Sequence, residues 1–160
     1  MVQEVLDRTQ SRLPLLFATI PARPVVVRAV EASRAGALGD AAFYQPPAGG
    51  VGPGVFYIGL ADMTKRPVWE IETITYHEAI PGHHFQFSLA KELQDLPELR
   101  RHYENGAYHE GWALYAESLG KSLGGYGDDY SLAARYQLEL LRAVRVVVET
   151  GFHYKPWSWE

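Results

Sequence analysis

A proline and a glycine, Pro81-Gly82, stand in the middle of an otherwise helical pattern and separate histidines that would have to meet. The stretch is His77-Glu78-Ala79-Ile80-Pro81-Gly82-His83-His84, and it holds half of the chain's six histidines. On an unbroken helix, at about 100° per residue, His83 would point roughly 120° away from His77; His84 would return to within roughly 20° but lie about 10.5 Å further along the axis. No straight helix brings either to His77. Proline removes the hydrogen bond to the carbonyl of His77 and its ring pushes against it, so the helix must bend here, and Gly82 adds backbone freedom at the same point. The expectation is one long kinked helix from about Pro67 to Pro97, with Trp69, Ile71, Ile74 and Tyr76 before the bend and Phe85, Phe87, Leu89 and Leu93 after it.

A bend that gathers imidazoles beside a carboxylate is a candidate metal site. Two neutral imidazoles and one carboxylate are a usual ligand set of hydrolytic zinc, and Glu78, next to His77, stands where the water-activating base stands in an HExxH motif. Position 81, where HExxH has its second ligand, is Pro here. Facing favours His84 as the second ligand, with His83 as the alternate; the imidazole left over would support a ligand or contact substrate. A second helix is expected from about Ala107 to Leu123, closed by Gly124-Gly125. Glu110 lies in its first turn, 26 positions after His84, enough chain for the helix to return alongside the first and aim Glu110 at the histidines. The plainer reading of Glu110 is a carboxylate favoured by the helix dipole. Glu117, one heptad on, faces the same way and either supports a ligand by hydrogen bonding or is a solvated or structurally paired carboxylate. His109 points about 100° from Glu110 and is expected to support rather than ligate.

The rest of the chain reads simply. An amphipathic helix runs to about Phe17, Val25 to Val30 is a short strand, and Tyr44 to Gly54 is a Pro/Gly-rich loop. Val55 to Ile58 is a strand, either an edge that pairs with an extended peptide or one arm of a small hairpin. Asp128 or Asp129 caps a last helix from about Tyr130 to Thr150, closed by Gly151. Arg142 and Arg145 on that helix are placed to pair with Glu139, Glu149 or a substrate carboxylate. At 47% hydrophobic and 21% charged residues, the 160-residue chain is composed like a globular domain with one core. Its net charge of −4 without a basic run argues against a nucleic-acid partner. The absence of cysteine excludes thiolate ligands and disulfides. No apolar run is long enough to span a membrane, and the compartment, cytoplasmic or exported after loss of a leader, is left open.

The ordered segments FYIG, TITYHEAIPGHHFQ, EGWALYAESLG and LLRAVRVVVETGFHYKPW, over roughly residues 42 to 157, resemble the bacterial family called domain of unknown function 885. More distantly, the motif surroundings are similar to the helical zinc peptidases of the angiotensin-converting-enzyme and carboxypeptidase Taq type. The resemblance implies a mainly α, zincin-like metallopeptidase core with a short strand or hairpin ahead of the motif helix. It implies Zn2+ as cofactor, a peptide or peptide-like substrate, His77 as first ligand, Glu78 as general base and Glu110 as third ligand. Aligning HFQFSL with those peptidases again selects His84. His153 falls on a position usually filled by His and is the candidate to stabilise an oxyanion or contact substrate. Gly59 and Glu149 depart from the family's Asn and Asp. Because family members run to several hundred residues, the 160 residues are expected to be a single-domain, truncated core of a larger protein. The competing expectations are a non-catalytic scaffold or peptide-binding fragment, and a different His/His/carboxylate enzyme such as a ferrous oxygenase.

Overall fold

The computed structural model describes residues 1–158 apart from 40, 48, 49, 61, 63, 65, 66 and 94. It is mainly helical, with α1 Val2–Arg12, α2 Ala32–Leu38, α3 Ile71–Glu78, α4 His83–Glu92, α5 Glu98–His102, α6 Gly106–Leu119 and α7 Asp129–His153. The strands β1 Val25–Ala29, β2 Ala42–Gln45 and β3 Gly54–Ile58 form one small sheet in the order β1-β3-β2, β1 parallel and β2 antiparallel to the central β3.

Two features of this sheet correct the sequence expectation. Tyr44 and Gln45 belong to β2 rather than to the loop, which for its described residues covers Pro46 to Pro53, Ala48 and Gly49 lying outside the described residues. The strand at Val55–Ile58 is flanked on both sides, so its backbone groups are already paired and it cannot receive an extended peptide; the hairpin reading holds, with β2 as the other arm.

The expected kinked helix is two helices. α3 stops at Glu78 and α4 starts at His83, with a cis peptide bond between Ile80 and Pro81 in the connection. Backbone groups across the break are satisfied locally: Ala79 N–H donates to Thr75 at 3.0 Å, Phe85 N–H to Ala79 at 3.3 Å and Gln86 N–H to Gly82 at 3.0 Å. The Trp112 indole donates to the Pro81 carbonyl at 2.8 Å, tying the break to α6. Gly82 is demanded by close approach, since a Cβ there would run into the backbone carbonyls of Tyr76 and His77. Ala79 and Ile80 are themselves core residues, packed with Leu6, Leu13, Phe56, Phe85 and Leu123, so the break is fixed from inside rather than left as a solvent loop.

α1 is shorter than expected: Pro14 opens a 3-10 turn, Leu13–Leu15, in place of a further α-turn. A helix, α5, occupies the segment expected to be only a turn. α7 is capped by Asp128, whose Oδ1 accepts from the amides of Tyr130 at 2.9 Å and Ser131 at 3.0 Å. The Ser131 amide first, then its hydroxyl and the Tyr130 amide, hold the Asp128 carboxyl below its ordinary value. α7 then continues through Gly151, which was expected to end it, to His153. Gly151 is buried against the Trp157 ring, where any side chain would collide, so it serves packing and not termination.

Candidate metal centre

His77 sits in the last turn of α3, His83 is the first residue of α4, and Glu110 lies in the first turns of α6. The break between α3 and α4 turns the chain so that the two rings meet edge to face, centroids 4.8 Å apart at 85°. Glu110 bridges them: its Oε2 is 3.3 Å from His77 Nε2 and its Oε1 is 3.6 Å from His83 Nε2. One ligand atom from each of the three residues lies within 4.8 Å of the others. Two imidazoles and a carboxylate are donors that suit a divalent ion, and the two contacts to Glu110 lie near the roughly 3.3–3.5 Å that separates neighbouring donors of a tetrahedral site. The histidines are 7% and 8% exposed while the Glu110 side chain is 66% exposed, which leaves the group reachable from one side.

His84 is not part of this group, which corrects the choice favoured from facing. Its ring is 1% exposed and turned toward the sheet, with Nε2 2.9 Å from the Arg23 carbonyl oxygen and Nδ1 3.4 Å from the Tyr44 hydroxyl. Burial lowers its pKa, so the ring is a neutral core imidazole that donates from Nε2. The alternate, His83, is the histidine that joins His77. The facing argument carried helical phase from 77 to 84, and the break at residues 79–82 resets that phase.

Behind His77 stands Glu117. Its Oε1 accepts from His77 Nδ1 at 2.7 Å, and the side chain is 1% exposed. This bond fixes the tautomer that leaves Nε2 free to ligate. A buried carboxylate needs compensation, and Arg142 from α7 supplies it at 3.0 Å from the same oxygen. Arg142 Nη2 also lies 3.2 Å from His77 Nδ1, but two donors do not pair, so Glu117 is the acceptor for both. Sequence spacing offered Glu117 as one of two readings; the pairing of Arg142 with Glu117, in place of Glu139 or Glu149, was not foreseen. Glu139 is taken by Arg135 at 2.9 Å and Glu149 by His153 at 3.2 Å.

Glu78, next to His77, accepts at Oε2 from the backbone N–H of Tyr44 in β2 at 2.9 Å. Burial pushes its carboxyl up to about 7, against the opposing influence of His77 and of the Tyr44 amide. Burial, then the neighbouring His77, lowers His83 to about 4, so its imidazole is neutral and its lone pair available at ordinary pH. His109 packs its ring on Phe87 at 4.4 Å between centroids, a supporting position and not a ligand. His153 is not gathered here: it stands eleven residues past Arg142, about 16 Å further along the axis of α7, with a side chain 79% exposed and paired with Glu149.

The family model of the bacterial proteins of unknown function called DUF885 matches residues 1–160. The chain belongs to this family. Among solved structures, that of the "putative lipoprotein" from Colwellia psychrerythraea superposes with a TM-score of 0.90 at 38% identity, over 98% of this chain and 27% of that one. The chain thus spans about a quarter of the length of that relative. No curated protein matches it. Among the described residues, no helix is long and apolar enough to cross a membrane.

Proposed function

We propose that His77, His83 and Glu110 hold the catalytic zinc of a peptide hydrolase, with Glu78 as its general base. The observation that carries this reading is the convergence of one ring nitrogen each from His77 and His83 and a Glu110 carboxylate oxygen within 4.8 Å, in a chain where the residue after His77 is a partly buried glutamate. The donor set is two imidazoles and one carboxylate, the ligand chemistry of open hydrolytic zinc sites. When bound, zinc supplies Lewis acidity toward a carbonyl and lowers the pKa of water toward about 7.

The chain's own residues supply the rest. The Tyr44 amide holds one oxygen of Glu78, which orients the carboxylate and leaves the other oxygen for proton transfer. Glu78 takes a proton from the attacking water as its oxygen bonds to the carbonyl carbon, then delivers that proton to the departing amine as the C–N bond breaks. Glu117 and Arg142 keep the His77 ring in place and in one tautomer.

Purified without added metal, the protein should retain about one equivalent of zinc by mass spectrometry. Glu78→Gln should keep that zinc and abolish cleavage of unstructured peptide substrates. Wild-type protein free of zinc, or a Glu78→Gln variant that still cleaves, overturns the reading.

A further inference from the structure

A cavity of about 560 Å³ opens one helical turn beyond His83, between α4, α5 and α6. One ring separates it from the His77/His83/Glu110 group, because Phe87 lines it and the Phe87 ring lies 6.1 Å from that of His83. Its apolar lining comes from Phe85, Phe87, Leu89, Leu93, Leu96 and Trp112, which suits a hydrophobic side chain of a ligand. Lys91, Arg100 and Arg101 also line it, against the single carboxylate of Glu104, so the cavity is basic in a chain whose net charge is −4. Two buried polar atoms of its lining residues have no hydrogen-bond partner among the described residues, the acceptor Gln86 Oε1 and the donor Arg101 Nε. Buried polar groups are nearly always paired, so an orphaned acceptor on α4 and an orphaned cationic donor on α5 mark what a ligand between those helices brings.

We infer that this cavity takes the C-terminal residue of a peptide, with an apolar or aromatic side chain among the phenylalanines and Trp112 and the free carboxylate at Arg100 and Arg101. An amide N–H of the same ligand meets Gln86 Oε1. The inference rests on the hydrolytic reading of the metal group for its consequence, which is preferential release of apolar C-terminal residues, but the cavity can be tested without metal.

The test uses the chain in excess chelator, with the Trp112 indole N–H followed by nitrogen-15 NMR while N-acetyl-Ala-Phe, its C-terminal amide, or N-acetyl-Ala-Asp is added. The free acid of the Phe peptide should shift the Trp112 signal saturably; the amide should bind about tenfold more weakly, as expected for loss of a charge-assisted hydrogen bond, and the Asp peptide should bind more weakly than the Phe acid. Charge reversal by Arg100→Glu with Arg101→Glu, on a short exposed helix, should bring the free acid down to the level of the amide. No shift of Trp112, or equal affinity for acid and amide, overturns the inference. Zinc measured on the same preparation separates the two claims: zinc bound without peptide binding defeats the cavity assignment alone, and peptide bound by a protein that never takes up zinc defeats the hydrolytic reading alone.

Discussion

His83 and His84 are neighbours with opposite roles because one helical step swings a side chain by about 100°. His83 reaches Glu110 and His77, while His84 is spent on the Arg23 carbonyl in the core. The same economy of position applies to Glu117, whose hydrogen bond at 2.7 Å decides which nitrogen of His77 faces His83 and Glu110. Glu117→Gln keeps the shape of the side chain but removes the charge that orients and polarises the ring. Zinc affinity measured by competition titration should fall roughly 10–100-fold with little change in helix content, and an unchanged affinity would show that Glu117 only packs. At this scale the sequence was legible in residue type and not in partner choice. His77, Glu78 and Glu110 stood out because their chemistry is unusual at that spacing, and the structure brings His77 and Glu110 together with His83. The partner of Arg142 and the role of the Tyr44 amide were missed because they depend on how α7 and β2 pack against α3, which no local pattern encodes.

Among the elements, the connection at residues 79–82 sets the geometry of everything around it. Gly82 lies against the carbonyls of Tyr76 and His77, so Gly82→Ala forces the end of α3 and the start of α4 apart. Overpacking of this kind costs about 1–3 kcal/mol, and here the obstructing atoms are backbone, which puts the variant at the upper end. The measurement is chemical denaturation together with zinc titration: a drop in stability accompanied by weakened zinc binding is expected, whereas a variant with native stability and affinity would mean that the break is not what positions His83. Helices with strong end signals were readable, as Asp128 for α7 shows. α2 was not, because none of its residues is buried and it carries no apolar stripe to betray it. β2 was hidden for another reason: it runs straight into a Pro/Gly-rich loop, and its pairing with β3 is a long-range fact. Pro81 was rightly read as an interruption, but a bend and a break leave the same mark in sequence.

The molecule as a whole assembles His77, His83 and Glu110 from three separate helices, with a fourth, α7, neutralising the carboxylate behind them. An ion that binds the folded state and not the unfolded chain must therefore stabilise the whole fold. At zinc a hundredfold above its dissociation constant the gain is about 2.7 kcal/mol, which for a chain of this size raises Tm by roughly 5–10 °C. Chelation should reverse the shift, and His83→Ala should abolish it; a Tm indifferent to zinc would mean that the three side chains converge without holding an ion. Beyond Arg142, α7 leaves Val144, Val147 and Val148 exposed on one face, continuing from the exposed Leu140 and Leu141, an apolar face larger than isolated surface residues explain. These 160 residues correspond to 27% of the solved relative, so the residues gathered between α3, α4 and α6 belong to one portion of a longer architecture of that kind.

Crystals of the zinc-loaded protein, measured on both sides of the zinc absorption edge, test the proposed centre in a single map. The account predicts one anomalous peak about 2.0–2.2 Å from His77 Nε2, His83 Nε2 and a Glu110 oxygen. A peak coordinated by His84, or no peak between α3, α4 and α6, would contradict it.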